Sequence, residues 1–216
     1  NMGISKGTIH FPHISVRNGG AEVLGSLTIE ERAQEIFYIS SRISSKNINF
    51  TKLFKEWDNF KQDVITSENI QGDAQASLVF EAPFDLRSGI ISNAIIAQIN
   101  IQIDDGRLKN VEAFNEIIKS LKTSSIRVVI GKENIDAFGH KLQDLKFKQL
   151  KNTLIIKNGV MTIPTMSIQS SALDIEASGT HTFNNKIDYR FGFNYRDLKK
   201  KKESEFGEIV DDETGM

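Results

Sequence analysis

The sequence predicts an α+β, β-rich fold: a long, bent, mostly antiparallel sheet, shaped like a groove, with two or three helices. Three observations predict it. Apolar and polar residues alternate along several stretches, two other stretches show helical spacing, and a kinked β-hairpin unit occurs twice. Alternation with period two is typical of strands that have one apolar face. With 216 residues and 39% hydrophobic content, the chain can bury a sizeable core.

The repeated unit begins with GTIHFPHISV at residues 7–16 and again with GVMTIPTMSI at residues 159–168. On either side of Pro12 and of Pro164 the alternation changes phase. Such a change would turn half a strand inside out unless a bulge absorbs one extra residue. Proline suits this point because it lacks the N–H that a ladder needs. We therefore predict a bent strand in each copy, with one apolar face continuous around the bend.

The likeness continues beyond the bend. Gly25 begins the stretch GSLT and Gly179 begins the similar stretch GTHT, and each is followed by an alternating segment, at residues 35–43 and 186–195. We place the two copies at about residues 5–44 and 157–196, within one elongated domain of residues 1–202. We expect residues 203–216 to be a charged tail or a linker to a missing C-terminal part.

The remaining strands follow from the same alternation. Ala74, Ala76, Leu78 and Phe80 mark one strand, and the odd-numbered residues from Ile95 to Ile103 mark another, which the turn signal Asp-Asp-Gly ends. Residues 172–183 and 187–195 complete the set. Several of these strands are about 9 to 12 residues long, where about 5 or 6 is usual, so the sheet should be tall and twisted.

Two helical insertions interrupt the strands, at about residues 50–61 and 111–122. Apolar residues recur there at intervals of three and four, after Asn49 as a candidate N-cap and after Asn110. A shorter third helix is predicted near residues 133–138. The apolar sides of these helices fit packing against the sheet; the alternative is a helix that closes an apolar groove.

Composition and motifs argue against several functions. The formal charge of −1 provides no basic field for nucleic acid, and the absence of cysteine excludes thiolate chemistry. His10 and His13 could share the polar face of a bent strand, but Thr162 and Thr165 occupy their places in the second copy, which argues against a metal site. No catalytic or nucleotide-binding motif is present. We expect no enzyme activity, no catalytic or metal-binding residue and no cofactor.

Apolar surface is what the strands offer instead. In a closed sandwich their apolar faces would form the core, whereas in an open, curled sheet they would line a groove for an acyl chain. A chain of about 16 carbons would gain on the order of 10 kcal/mol there, at about 0.8 kcal/mol per buried CH₂. Periodicity does not distinguish the closed sandwich from the open groove.

An ordered set of stretches marks the C-terminal part of the sequence: DLKF at 144–147, IIKNG at 155–159, IPTMSIQSSA at 163–172, GTHTF at 179–183 and IDY at 187–189. Over about residues 140–198 this set resembles the C-terminal region of the AsmA-like proteins of Gram-negative bacteria. The middle of the chain fits more loosely, through Gly72 and the stretch DGRL at 105–108.

This resemblance implies a periplasmic, non-enzymatic protein that is attached to the inner membrane by an N-terminal anchor and supports outer-membrane biogenesis. Together with TamB-like relatives, such proteins are thought to pass phospholipids along an apolar β-groove, and outer-membrane assembly proteins are possible partners. The sequence has no run of about 20 apolar residues and no signal peptide, so it is either a cytosolic protein or a piece of a longer one, and we expect the latter.

The residues that we expect to contact phospholipid or fatty acyl chains lie on three apolar stretches. They are Ile187, Tyr189, Phe191, Phe193 and Tyr195; Leu173, Ile175 and Phe183; and Ile99, Ile101 and Ile103. The alternative is a structural or assembly module that binds a partner protein by strand addition at an open sheet edge.

Overall fold

The computed structural model describes residues 3–5, 7–18, 21–61, 63–194 and 198. The N-terminal part contains β1 (Gly3–Ser5), β2 (Thr8–Asn18), β3 (Ala21–Ala33), β4 (Ile36–Asn49), α1 (Phe50–Glu56) and a 3₁₀ helix (Asp58–Lys61). The middle contains β5 (Ile70–Asp85), β6 (Gly89–Ile90), a second 3₁₀ helix (Ser92–Ala94) and β7 (Ile96–Lys109). The last part contains α2 (Glu112–Thr123), α3 (Ile126–Ile130), α4 (Lys132–Leu142), β8 (Asp144–Lys157), β9 (Val160–Ile168), β10 (Ile175–Thr182) and β11 (Ile187–Gly192).

The strands form one open antiparallel sheet. Its order is β1-β2-β3-β4-β5-β7-β8-β9-β10-β11, and the short β6 pairs with β5. Each long strand therefore lies beside the long strands that precede and follow it in the chain. The two-residue β6 stands outside this order and pairs with β5. The predicted β-rich α+β fold with a long, bent antiparallel sheet is confirmed. The described residues form four α-helices rather than two or three.

Both predicted bulges are present. Strand β2 advances by three residues from Phe11 to Ile14 while its partner β3 advances by two. Strand β9 likewise advances by three residues from Ile163 to Met166 while β10 advances by two. The extra residue falls in the stretch that contains the proline in each case. A bulge bends its strand and increases the local twist, so the two prolines mark corresponding bends in the outer parts of the sheet.

A glycine lies beside each bulge because neighbouring backbones approach closely there. A Cβ atom on Gly25 would lie 2.3 Å from the carbonyl oxygen of Arg42 in β4. A Cβ atom on Gly179 would lie 2.4 Å from the carbonyl oxygen of Asp188 in β11. Real Cβ atoms do not approach oxygen so closely. A larger residue at Gly25 would therefore displace β4, and one at Gly179 would displace β11.

The helices lie together against one end of the sheet. The N-cap predicted for α1 is confirmed, because the side chain of Asn49 accepts a hydrogen bond from the backbone N–H of Lys52 at 3.0 Å. Asn110, by contrast, does not cap α2: it has a left-handed φ of 50°, and the N-cap is Val111, which makes no side-chain cap bond. Asparagine tolerates that conformation better than most residues, which explains its presence at the turn.

Helix α4 is longer than the helix predicted near residues 133–138, and α3 was not predicted. The five residues of α3 are too few to show a helical period, and the run of β-branched residues at 128–130 favours a strand. Gly131, with a φ of 87°, separates α3 from α4.

The core lies between this helical layer and the apolar side of the sheet. We call this part of the molecule the helical end. Phe138 and Leu142 of α4, for example, are almost fully buried, and each contributes about 2 kcal/mol through the apolar surface that it removes from water. The other members of the buried cluster are Phe50, Ile70, Ala74, Ile103, Val111, Phe114, Leu121, Ile130, Ile135, Leu145, Phe147, Ile168, Leu173, Ile175 and Ala177.

An ion pair joins β7 and β8 at the helical end. The guanidinium group of Arg107 donates two hydrogen bonds to the carboxylate of Asp144. These bonds hold the pKa of Asp144 below its ordinary value, and the positive charge of Arg107 acts in the same direction. The pair therefore stabilises the fold when the carboxylate is ionised.

We expect Gly179→Ala to destabilise the protein by about 1 to 3 kcal/mol, because the added methyl group cannot be accommodated without moving β11. Urea unfolding followed by circular dichroism measures the change. Gly192→Ala in β11 is the matched control, since its Cβ would lie 3.7 Å from the nearest atom. Equal losses in the two variants would show that the close approach at the bulge is not the cause.

The Arg107–Asp144 pair should make stability depend on pH in the acidic range. A lowered carboxyl pKa stabilises the folded state fully above the unfolded pKa, about 3.9, and this contribution is lost as the pH falls through the lower folded pKa. Asp144→Asn should therefore lower the melting temperature at pH 7, and the difference from the wild type should shrink on acidification. A difference that stays constant would contradict this; Asp188→Asn, which removes an exposed carboxylate from β11, serves as the control.

Candidate functional site

The antiparallel register places apolar side chains from neighbouring strands side by side on one face of the sheet. Directly opposed residues in antiparallel strands have their side chains on the same face, about 5 Å apart. One row takes a residue from every long strand between β2 and β11. Its members are Phe11, Leu27, Ser41, Phe80, Ala97, Ile156, Met161, His181 and Ile187.

A second row runs parallel to the first, one step nearer the helical end. It contains Ile14, Gly25, Ile43, Leu78, Ile99 and Leu154. We call the face that carries both rows the apolar face. The bulge in β2 matters here, because it brings Ile14 back to this face after Pro12.

The helical layer covers only part of the apolar face. Ile103, in β7, is buried in the core, and Ile101 packs against it, whereas Ile99 in the same strand does not join this cluster. Leu78, Ile43 and the other members of the two rows also lie outside it among the described residues. We call the surface formed by the two rows the open part of the apolar face. Most of its side chains are half-buried, while Ala97 is buried and Ile187 is exposed.

The residues predicted to contact lipid therefore fall into two groups. Leu173, which is 1% exposed, lies in the core with Ile103 and Ile175 and has almost no surface to offer a ligand. Phe193 is partly buried, and its ring lies 5.5 Å from that of Phe138 in α4. The physical reason is that the helices pack on the end of the sheet where these strands begin or end.

The other predicted residues retain accessible surface. Ile187 is 49% exposed and Phe191 is 38% exposed. Phe183, in the turn after β10, is also exposed, and Tyr189 is half-buried. Tyr195 lies outside the described residues.

Sequence reasoning did not place Leu27, Ile43, Leu78 and Leu154 at the site. Alternation identified the face of each strand, but the neighbours in the sheet follow only from the register. One signal was available: the first copy of the repeat shows the same change of phase as the second, and so predicts that β2 and β3 contribute to the same face.

The opposite face of the sheet is mostly polar. Two open depressions in the sheet, of about 700 and 490 Å³, have linings that include residues from both faces. The larger one follows a row of short side chains, Ser44, Ser77, Asn100 and Thr153. Asn100 donates a hydrogen bond to Ser77 at 3.1 Å and accepts one from Thr153 at 2.8 Å. These two bonds join β5, β7 and β8 through their side chains.

The apolar face carries few polar side chains. His181 and Tyr189 form its main polar contact, with 3.1 Å between Nδ1 and the hydroxyl oxygen. Burial raises the pKa of Tyr189, so the hydroxyl stays protonated at neutral pH. Within the described ranges, no three histidine or acidic side chains converge as a metal site would require.

No helix in the described part of the chain is long and apolar enough to cross a membrane. Comparisons with known proteins found no matching family model, no matching curated protein and no matching solved structure. The geometry of the sheet and the sequence resemblance are thus the basis for assigning a function.

Proposed function

We propose that this chain is a non-enzymatic lipid-binding segment in which the open part of the apolar face holds phospholipid or fatty acyl chains. The observation that carries the proposal is the continuous row of mostly apolar side chains from Phe11 in β2 to Ile187 in β11, which the helical layer leaves uncovered. Large apolar surfaces that are exposed on a folded protein usually mark an interaction site.

The dimensions of the surface fit an acyl chain. Neighbouring strands lie about 4.8 Å apart, so a row across nine strands extends over roughly 40 Å. One leaflet of a bilayer has a hydrocarbon thickness of about 15 Å, which is the scale of one extended acyl chain. Several chains could therefore lie along the sheet at once, or one lipid could occupy successive positions.

The side chains of the open part favour a flexible apolar ligand over a specific one. Leu, Ile, Phe and Met dominate its two rows, and few groups are available to recognise a polar ligand. Burial of methylene groups would supply the affinity at about 0.8 kcal/mol each. This chemistry is suited to binding or transfer of lipids rather than to a reaction.

The resemblance of residues 140–198 to AsmA-like proteins supports the same proposal. On this basis we propose a periplasmic segment of a longer protein, attached to the inner membrane, that takes part in phospholipid transfer during outer-membrane biogenesis.

Leu78 and Val79 provide a matched test. They are adjacent in β5 but on opposite faces: Leu78 lies between Ile43 and Ile99, whereas Val79 lies between Arg42 and Gln98. We expect Leu78→Asp to lower the uptake of a fluorescent fatty acid by about tenfold, because a carboxylate is costly in apolar surroundings. Val79→Asp should leave uptake unchanged.

Both variants should stay folded, since water reaches both positions, and circular dichroism with thermal melting checks this. Native mass spectrometry of the wild type after gentle purification provides a second readout. No bound lipid, together with no fatty-acid uptake by the wild type, would overturn the proposal. Equal uptake by the two variants would place the ligand elsewhere.

A second candidate is a module that binds a partner protein by strand addition. It is favoured by the open sheet, in which β1 and β11 pair on one side only within the described residues. Strand addition depends on backbone hydrogen bonds at an edge, so neither Leu78→Asp nor Val79→Asp should affect it. A loss of fatty-acid uptake in Leu78→Asp but not in Val79→Asp would therefore favour the lipid-binding segment over the strand-addition module.

A further inference from the structure

Helix α3 exposes an unusual amount of apolar surface. Val128 is 88% exposed, the highest value among the large apolar side chains described. Val129 and Ile126 are 53% and 44% exposed. Together with Arg127 they form the surface that we call the α3 tip. β-Branched residues are not strong helix formers, so local helix stability does not explain why four of the five residues of α3 are β-branched, three of them exposed.

The α3 tip is held firmly in this position. Ile130 is 2% exposed and anchors the end of the helix in the core, while Ile135 anchors the first turn of α4. The backbone N–H of Gly131 donates to the carbonyl oxygen of Arg127 at 2.9 Å. The side chain of Asn134 donates to the carbonyl oxygen of Ile130 at 2.7 Å. The exposed residues thus project from a well-packed layer.

Basic and acidic residues both lie near the tip. Lys119, Lys122, Arg127 and Lys132 lie on or beside it, and Glu116 and Glu133 flank the same stretch. Lys119 and Lys122 have acidic partners: Lys119 lies 3.9 Å from Glu116, and Lys122 lies 2.7 Å from Asp136.

Arg127 differs from these two lysines. Within the part of the chain that the structure describes, no carboxylate lies within 4 Å of its guanidinium group. Exposed aliphatic side chains that flank an uncompensated cation are complementary to the surface of an anionic bilayer, where the apolar groups enter the headgroup boundary and the cation binds phosphate.

We propose that the α3 tip docks the helical end of this protein onto a membrane surface that contains anionic phospholipids. Val128, Val129 and Ile126 enter the interface, and Arg127 contacts the lipid phosphates. Because α3 belongs to the helical end, docking there leaves the open part of the apolar face outside the contact. This proposal goes beyond the proposed function and does not require that the sheet itself holds lipid.

Vesicle flotation tests the proposal with the complete chain. Vesicles of phosphatidylcholine with phosphatidylglycerol are compared with vesicles of phosphatidylcholine alone, at low and at high salt. The wild type should float with the anionic vesicles, and salt should weaken the binding because it screens Arg127. Arg127→Gln should weaken binding to anionic vesicles about fivefold, which is the usual contribution of one basic residue near such a surface.

Val128→Asp should have a larger effect than Arg127→Gln. It should weaken binding by about tenfold or more, since it replaces the most exposed apolar side chain by a charge of the wrong sign. The matched control is Leu86→Asp: Leu86 is 60% exposed in the turn after β5, at the opposite end of the sheet. That variant should bind like the wild type, and thermal melting confirms that all variants are folded.

Failure of this proposal is distinguishable from failure of the proposed function. Val128→Asp should retain fatty-acid uptake, whereas Leu78→Asp should retain vesicle binding. A wild type that does not float with anionic vesicles, or equal losses in Val128→Asp and Leu86→Asp, would overturn the docking proposal. It would also be overturned if sedimentation showed a wild-type dimer that Val128→Asp dissociates while vesicle binding is unchanged, because the tip would then be an interface between two copies.

Discussion

The extra residue at each of two proline bulges keeps the apolar side chains of the outer hairpins on the same face as those of the central strands. Without it, Ile14 and Val16 would turn to the polar side beyond Pro12, and Met166 and Ile168 would do so beyond Pro164. The second row would then lose Ile14 in β2, and Met166 and Ile168 in β9 would leave the core at the helical end. The apolar face continues along the two outer hairpins because of these bulges.

The same apolar face has two different environments along its length. At the helical end its side chains are core residues, as the near-complete burial of Leu173 and Ile175 demonstrates. Away from the helices, positions such as Leu78 and Ile99 pair within the sheet and, among the described residues, lie outside the buried cluster. The helices therefore stabilise the fold by covering one end of the face, and the described helices do not cover the rest.

Much of the fold could be predicted from the sequence, because local patterns determine it. Alternation identified the strands, the change of phase at Pro12 and Pro164 identified the bulges, and Asn49 identified the start of α1. The site could be predicted only in part, since the alternation of Leu173 and Ile175 is the same as that of Ile187 and Phe191. Which of these residues the helices cover depends on contacts between distant parts of the chain, and α3 is too short to be recognised by its period.

The order of the strands also affects how the sheet can be widened by added hairpins. Every described strand except the small β6 lies beside its predecessor and successor in the chain, so a hairpin added at either edge would extend the ladder without rearranging the existing pairs. Each added hairpin would widen the sheet by about 10 Å. The span of the apolar face is consequently adjustable in small increments by duplication of a hairpin, and the two proline-containing units are the natural elements for such growth.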